Sequence, residues 1–309
     1  MKLQILMSTY NGEKYLDAQL DSLLAQTLCE KEGWEVEILV RDDGSKDRTC
    51  EILQAYADKD TRIRYIKEEN TGVIESFFRL LDNSAKDADY LAFCDQDDVW
   101  MPEKMERAVT LLSQAETDRP LLYCGRPLLT DENLNPIETV WSDGQMRPSF
   151  GNALIENICT GCTSVMNRAL ADILRLSHPA FTLMHDRWFY LVASCFGEVI
   201  YDTKACIYYR QHGNNTVGMK KNHRQEFVSR LKKYREKRYS ITRQTKAFLD
   251  FCTEHGLAIP EDKKKCVMDI LAMKKHPSAR IRLIKNKAVY RQRKGDDLVF
   301  KLMLLMGDV

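Results

Sequence analysis

Three aspartates crowd into four consecutive positions of the chain, Asp95, Asp97 and Asp98, with Gln96 between the first two. They directly follow the apolar run 90–94, which is typical of a buried strand. In an extended chain the side chains of Asp95 and Asp97 point to the same side, and carboxylate oxygens suit Mg²⁺ or Mn²⁺ bridging a diphosphate. Because the three acids would repel one another when unpaired, they predict a divalent-cation site. The alternative is a solvated acidic turn.

A second pair of acids, Asp42 and Asp43, follows another apolar run and precedes Gly44. Adjacent carboxylates at the end of a strand repel each other unless something binds them. A carboxylate accepts hydrogen bonds from a nucleobase N–H or a ribose hydroxyl, so the pair indicates a nucleotide contact. The alternative is that Asp43 closes a turn and that Ser45 or Asp47 starts the next helix.

A third polar segment, Ser8, Thr9, Tyr10 and Asn11, follows the apolar run 3–7. Its hydroxyls, together with backbone N–H groups at the start of a helix, are groups that hold nucleotide phosphates. The alternative is a turn, because Asn11 is followed by glycine and this pair is common in turns.

These clusters need a scaffold that brings the ends of several strands together. The runs 3–7, 36–41, 63–67, 90–94 and 121–124 predict strands, and leucines or phenylalanines at helical spacing lie between them. This alternation is typical of α/β proteins. We therefore predict a Rossmann-like, mostly parallel sheet flanked by helices, with ligands at the carboxyl ends of its strands.

The later elements are expected to complete the sheet. A helix is predicted to start at Pro102, and the interrupted pattern from 125 to about 157 predicts irregular or hairpin structure. Residues 162–166 predict a strand, 184–196 a helix, and 199–201 with 205–209 two terminal strands.

Charge divides the chain into two regions. Residues 1–218 carry 22 Lys and Arg against 35 Asp and Glu, net −13, whereas residues 219–309 carry 24 against 10, net +14. We predict a catalytic domain over 1–218 and a separate basic helical appendage over 219–309. Basic helices that finish in the apolar segment 298–306 favour an anionic membrane surface. The alternative is a homodimer interface with a solvated basic face, and no motif for reading nucleic acid is present.

The composition of the 309 residues, 44% hydrophobic and 29% charged, allows a sizeable core and excludes a disordered chain. No run reaches the roughly 20 apolar residues needed to span a bilayer, and the first residues lack the pattern of a signal peptide. Ten scattered cysteines fit a reducing cytosol. The one CxxC spacing, Cys159 to Cys162, is interpreted as a core turn, because no second ligand pair accompanies it.

Taken in order along residues 1–215, the three clusters resemble family 2 glycosyltransferases of the inverting, GT-A-fold type. The segments FCDQDDVW (93–100), TGCT (160–163), MHD (184–186) and RQHGNN (210–215) look like bacterial polysaccharide rhamnosyltransferases within that family. The resemblance implies a cytoplasmic enzyme at the inner face of the membrane. It would use Mn²⁺ or Mg²⁺ to move a sugar, rhamnose in that subgroup, from a dTDP- or UDP-sugar to a hydroxyl of a lipid-linked polysaccharide precursor.

The resemblance also implies roles for individual residues. Asp42 would hold the base, Asp95 the ribose or the metal-bound network, and Asp97 the metal, with the other residues of the three clusters around the nucleotide sugar. His212 would be a further metal ligand, because neutral imidazole binds Mn²⁺; the alternative is a histidine of a surface loop. Asp186 would be the general base that takes the proton of the acceptor hydroxyl; the alternative is an aspartate that favours a helix start.

Three further residues are predicted to contact the acceptor or the sugar. Trp100 and Trp188 have faces that stack on sugar rings, and His185 precedes the predicted base; the alternative for the tryptophans is the core. In the related subgroup an aromatic residue often follows the His-Asp pair, whereas Arg187 stands there in this chain.

Two other function classes compete with this interpretation. A sugar nucleotidyltransferase also combines a Rossmann-like domain with Mg²⁺, but the chain lacks a Gly-rich N-terminal loop followed by Arg and Lys. A non-catalytic nucleotide-sugar-binding scaffold at the membrane needs no general base, and the presence of Asp95, Asp97 and Asp186 together argues against it.

Overall fold

The computed structural model describes residues 1–137, 146–212 and 240–307. Its strands are β1 Lys2–Thr9, β2 Glu35–Asp42, β3 Ile63–Lys67, β4 Tyr90–Asp95, β5 Val99–Trp100, β6 Leu121–Gly125, β7 Leu128–Thr130, β8 Val165–Asn167, β9 Glu198–Asp202 and β10 Ile207–Arg210. Its helices are α1 Leu16–Leu24, α2 Thr49–Lys59, α3 Val73–Asp82, α4 Lys104–Leu112, α5 Phe150–Ile155, α6 Arg168–Leu174, α7 His185–Phe196, α8 Ser240–Glu254, α9 Glu261–Ala272, α10 Pro277–Lys285 and α11 Lys294–Met306. Two 3₁₀ turns lie at Thr27–Glu30 and Gly161–Thr163.

A seven-stranded sheet in the order β3-β2-β1-β4-β8-β6-β9 forms the centre of the fold. The strands β1 to β4 are parallel to one another, and β6 is parallel to β9, whereas β8 is antiparallel to both β4 and β6. A smaller sheet in the order β5-β10-β7 lies beside it. The predicted α/β class with a mostly parallel sheet and flanking helices is confirmed.

The register of β1 explains why the polar clusters meet. Ser8 pairs with Asp95 on one side, and Thr9 pairs with Asp42 on the other. These residues end three adjacent parallel strands, so their side chains share the carboxyl edge of the sheet. Three segments that are far apart in the sequence thus form one site.

Both faces of the sheet are covered, which is why Ile5, Leu6 and Met7 of β1 are apolar without alternation. Leu3, Ile5 and Met7 belong to one hydrophobic cluster with α1, α2 and α4, and Leu6 belongs to the cluster on the opposite face. That opposite cluster contains α3 and α5 to α11. The core therefore positions β1, and β1 in turn positions the site.

The helices after residue 240 share the second cluster with the sheet. Phe248 and Phe251 of α8 pack edge-on against Trp188 of α7, at ring distances of 6.1 and 5.7 Å. The prediction of a separate appendage is wrong in this respect, because the apolar faces of these helices are buried against α7. The predicted boundary at 218 lies outside the described residues, as does the predicted basic helical stretch 219–239.

Several predicted elements differ in their bounds. The strand predicted over 162–166 begins as a 3₁₀ turn and extends only over β8, and the helix predicted at Pro102 begins at Lys104. Within 125–157 the structure has β7 and the short helix α5, while 138–145 lie outside the described residues. Among the described residues, no helix is long and apolar enough to cross a membrane.

Candidate active site

The acidic cluster after β4 splits into two groups. Ligand atoms of Asp95, Asp98 and Cys162 all lie within 4.8 Å of one another. Asp97 instead faces His212, whose Nε2 lies 2.7 Å from Asp97 Oδ2. The structure thus brings together the predicted metal ligands Asp97 and His212, 115 residues apart, with Asp95 in the neighbouring group.

The electrostatics of these carboxylates fit a cation. Burial, followed by the charge of Asp97, raises the pKa of Asp95 to about 7 and raises the pKa of Asp98 well above its usual value. Asp98 Oδ2 is buried and has no hydrogen-bond partner among the described residues. Carboxylate and imidazole donors suit Mn²⁺, and carboxylates suit Mg²⁺. The residues present therefore fit the ion that the family resemblance implies.

Arg210 holds this cluster in place, although the sequence analysis did not single it out. Its backbone N–H donates to Asp98 Oδ1 at 3.1 Å, and its Nε donates to the carbonyl oxygen of Asp97 at 2.8 Å. The guanidinium also lies 4.5 Å from the ring centre of Tyr15. Arg210 lies two residues before His212, at the end of a predicted strand, and this position could have identified it as a site residue from the sequence.

The loop after β1 is tied to the acidic cluster through Gln96. The Gln96 side chain accepts a hydrogen bond from Tyr10 N–H at 2.8 Å and donates to Tyr10 O at 3.0 Å. Gly12 has no room for a Cβ atom, because the Gln96 amide occupies that space. Asn11 N–H donates to Ser45 Oγ at 2.8 Å, which links the first and second clusters. All three predicted nucleotide-binding segments are therefore in direct contact.

The second cluster is satisfied by the protein itself. Asp42 is fully buried and accepts hydrogen bonds from Ser45 N–H at 3.0 Å and from Thr9 Oγ1 at 3.2 Å. Asp43 pairs with Arg41 at 2.6 Å, and the φ of +80° at Gly44 favours glycine. These contacts shape the loop, and a contact from Asp42 to a nucleobase stays a prediction.

Asp186 lies in the first turn of α7, on the side of Asp95. Its Oδ2 accepts a hydrogen bond from Gly161 N–H at 3.1 Å, and its buried Oδ1 has no partner among the described residues. Burial raises the pKa of Asp186 to about 6. The charge of Asp186 contributes to the raised pKa of Asp95. A carboxylate with a free oxygen and a pKa near neutrality beside the acidic cluster has the properties of a general base.

The three predicted sugar contacts are wrong, because their side chains are buried. Trp100 is 2% exposed, with Lys104 Nζ 3.3 Å from its ring centre. Trp188 is fully buried in the core. His185 is 3% exposed and stacks on Phe77 at 4.0 Å, and burial lowers its pKa to about 3. These side chains pack in the core beneath the site, and their rings are not exposed to a bound sugar.

Replacement of Trp188 by alanine is expected to destabilise the fold by about 3–5 kcal/mol, since it removes a fully buried indole. Chemical denaturation of the purified variant measures this loss. The matched control is Trp34→Ala. Because Trp34 is only partly buried, its replacement should lower the free energy of unfolding by less. A loss for Trp188→Ala no larger than that of the control would contradict the core role.

A cavity of about 600 Å³ opens beside Asp97. It is lined by Tyr10, Asn11, Gly12, Lys14, Tyr15, Gln96, Asp97, Glu132 and His212. Lys14 and Glu132 form an ion pair at its edge, with 2.7 Å between Nζ and Oε2. Neither residue was predicted from the sequence. Lys14 lies three residues after the first cluster, which was a usable signal, whereas Glu132 lies where the sequence pattern is weak and gives no signal.

The chain is similar to known glycosyltransferases over most of its length. The family model of glycosyl transferase family 2 matches residues 4–174. A dTDP-rhamnosyl transferase of Shigella flexneri is 29% identical over 229 residues, which cover 69% of this chain and 73% of that protein. An uncharacterized glycosyltransferase of Rickettsia typhi is 27% identical over 231 residues, which cover 73% of this chain and 69% of that protein.

Solved structures share the fold. Staphylococcus aureus TarS 1–349 in complex with UDP-GlcNAc has a TM-score of 0.56 at 16% identity, covering 99% of this chain and 91% of that chain. The mannosyltransferase PcManGT from Pyrobaculum calidifontis, in complex with GDP-Man and Mn²⁺, has a TM-score of 0.50 at 15% identity and covers 99% of this chain and 85% of that chain. Since the family match spans more than half of the chain, the protein belongs to glycosyl transferase family 2 and is a transferase enzyme.

Proposed function

We propose that the protein is a metal-dependent inverting glycosyltransferase that moves one sugar from a nucleoside diphosphate sugar to an acceptor hydroxyl. The observation that carries this proposal is the Asp97–His212 pair, 2.7 Å apart at the wall of a 600 Å³ cavity, with Asp186 beyond it on α7. Two metal-binding side chains and a base on one edge of the sheet supply the groups that this reaction needs.

One set of residues acts on the leaving group, and another residue acts on the nucleophile. Asp97 and His212, with Asp95 beside them, would hold Mn²⁺ or Mg²⁺, which stabilises the negative charge on the departing diphosphate. Asp186 takes the proton of the acceptor hydroxyl as its oxygen bonds to the anomeric carbon and the bond from that carbon to the diphosphate breaks. Attack from the opposite face inverts the configuration, so no covalent enzyme intermediate forms.

The donor is proposed to be a dTDP- or UDP-sugar, with rhamnose as the first candidate. The support for rhamnose is the 29% identity to a relative named as a dTDP-rhamnosyl transferase. An assay of dTDP-, UDP- and GDP-sugars with a lipid-linked acceptor extract, with and without Mn²⁺, tests the proposal. Metal-dependent release of a nucleoside diphosphate with transfer supports it. Turnover of a nucleoside triphosphate with a sugar phosphate would favour a nucleotidyltransferase, and binding without turnover would favour a non-catalytic scaffold.

The C-terminal region is proposed to dock on an anionic membrane at the inner face, where a lipid-linked acceptor would be presented. Leu298, Leu302, Leu305 and Met306 form one stripe along α11, and each is between 50% and 66% exposed. Residues 276–307 carry 8 Lys and Arg against 2 Asp and Glu. An apolar stripe among cations suits anionic lipid, whereas two copies packed through this stripe would bring like charges together.

The double variant Leu302→Glu with Leu305→Glu is expected to lower binding to phosphatidylglycerol-containing vesicles by about tenfold or more, since it places two charges where apolar groups enter the lipid. Vesicle flotation measures this, and Met268→Glu is the matched control, because Met268 is exposed on α9 outside the stripe. Equal flotation of the double variant and the parent would reject the lipid surface. A parent dimer that the double variant dissociates would instead favour the homodimer.

A further inference from the structure

Lys14 is the one lysine or arginine among the described residues that line the cavity beside Asp97. Its Nζ lies 2.7 Å from Glu132 Oε2, and the two side chains are 64% and 51% exposed. An ion pair with both side chains in solvent contributes little to stability. A more strongly charged anion that enters the cavity can therefore take the place of Glu132 at the ammonium.

A single aromatic ring separates Lys14 from the proposed metal ligand His212. The ring centre of Tyr15 lies 4.7 Å from Lys14 Nζ and 5.0 Å from the ring centre of His212. Both Lys14 and His212 line the cavity that Asp97 borders. A diphosphate bound to an ion at Asp97 and His212 would thus lie in the same cavity as the ammonium of Lys14.

The backbone that carries Glu132 is fixed, so the pair can separate without movement of the chain. The turn is closed by Asp131, whose Oδ1 accepts hydrogen bonds from the N–H groups of Asn133 and Asn135, each at 2.9 Å. Arg210 donates to the carbonyl oxygen of Glu132. On the other side of the pair, the flexible four-carbon stem of a lysine lets its ammonium reach several positions. An exchange of partners therefore needs rotation of side chains alone.

The charge of the donor favours such an exchange. A divalent ion held by Asp97, with Asp95 beside it, is already neutralised in part by these carboxylates, while both phosphate groups of the donor are negatively charged. Hydrogen bonds from an ammonium to a phosphate oxygen are among the strong ones. An ammonium in the cavity also stabilises the negative charge that grows on the diphosphate as the bond to the sugar breaks.

We propose that Lys14 exchanges Glu132 for the diphosphate when the donor binds. Before binding, Glu132 holds the ammonium and competes with the diphosphate for it. In the complex, Lys14 binds a phosphate oxygen of the leaving group, and the Lys14–Glu132 pair forms again as the nucleoside diphosphate dissociates. The inference rests on the proposed function, because it takes the cavity as the donor site.

The two single variants of this pair are expected to change diphosphate binding in opposite directions. UDP and dTDP are titrated calorimetrically into the full chain with Mn²⁺, and the one that the parent binds is used for the variants. Lys14→Gln should bind it about tenfold or more weakly, the usual range for a lost charged hydrogen bond. Glu132→Gln should bind it about two- to fivefold more tightly, because this variant removes an exposed ion pair that competes with the ligand.

An ion pair of the same type supplies the matched control. Lys31 Nζ lies 2.7 Å from Glu106 Oε1, and this pair is also exposed and lies outside the cavity. Lys31→Gln and Glu106→Gln should bind the diphosphate as the parent does. Weaker or unchanged binding in Glu132→Gln, or parent-like binding in Lys14→Gln, would overturn the exchange. Failure of the parent to bind either nucleoside diphosphate would instead overturn the proposed function, and this inference with it.

Transfer distinguishes a phosphate contact from a structural role. Lys14→Gln is expected to raise the donor KM and to lower kcat, since the leaving group carries its largest charge in the transition state, while the acceptor KM stays unchanged. Lys14→Arg keeps the positive charge and should recover most of the loss. Inhibition by the nucleoside diphosphate product should be stronger in Glu132→Gln and weaker in Lys14→Gln than in the parent. Product inhibition that changes in the same direction in both variants would contradict the exchange.

Discussion

Asp97→Ala is expected to lower sugar transfer by about 10³-fold and to abolish metal-dependent binding of the donor. Asp97 supplies the carboxylate that faces His212 at 2.7 Å. Its loss removes this contact to the imidazole and leaves the cation with one ligand fewer. Loss of the group that stabilises charge in a transition state typically costs about 10²–10³ in rate. Calorimetric titration of the nucleotide sugar with and without Mn²⁺ measures the binding, and release of the nucleoside diphosphate measures the rate.

The control for this variant is Asp118→Ala, which removes an exposed aspartate far from the site in the fold. It should bind the donor and transfer the sugar as the parent does. His212→Ala should weaken Mn²⁺-dependent donor binding in the same direction as Asp97→Ala, because both side chains are assigned to one ion. Parent-like Mn²⁺ dependence in both variants would mean that the ion is bound elsewhere.

Asp186→Ala is expected to keep donor binding and to lose transfer by about 10²–10⁴-fold, the range for loss of a general base. The donor is assigned to the Asp97 side of the cluster, so removal of Asp186 leaves its ligands in place. Donor affinity and transfer rate, measured on the same preparation, separate the two effects. Asp172→Ala, which removes an exposed aspartate of α6, is the control. Equal transfer rates in Asp186→Ala and the parent would discard the base assignment.

The pH dependence of transfer gives a second readout for Asp186. A general base must be ionised, and burial raises the pKa of this carboxyl from 3.8 to about 6. Transfer by the parent is therefore expected to be full above about pH 7 and to fall tenfold per unit below about pH 6. If this aspartate had an ordinary pKa, it would stay ionised, and transfer would stay full, down to a pH about two units lower. With Mn²⁺ at a concentration that keeps the Asp95 and Asp97 carboxylates ionised throughout, the residual activity of Asp186→Ala should lack this acidic limb, whereas the Asp172→Ala profile should keep it.

Much of the fold was predictable from the sequence because parallel strands buried on both faces appear as continuous apolar runs. The bounds of β1 to β4 follow from such runs to within one or two residues. The direction of β8 was not predictable, because a three-residue strand has the same local pattern whether it runs parallel or antiparallel. The docking of α8 was missed for a different reason. The excess of Lys and Arg dominated the composition, while the few apolar residues that make the contact, such as Phe248 and Phe251, gave no sign of their partner.

The site was predictable where the chemistry of neighbouring residues restricts their role. Three acids after a buried strand indicate a charged ligand, and the register of β1 then places the other two clusters beside them. The tryptophans were misassigned because an aromatic residue next to a polar motif has the same sequence whether its ring faces the ligand or the core. Glu132 was missed because it comes from a loop whose position depends on β7 pairing with β10, a contact between segments about 80 residues apart.

A crystal structure of the protein with Mn²⁺ and a nucleotide sugar tests most directly whether Asp97 and His212 hold the metal beside the donor. We expect the ion to be bound by the Asp97 carboxylate and His212 Nε2, with the diphosphate next to it and the anomeric carbon facing Asp186. A structure in which Asp97 and His212 keep their direct hydrogen bond, while the nucleotide sugar binds at another surface, would contradict it.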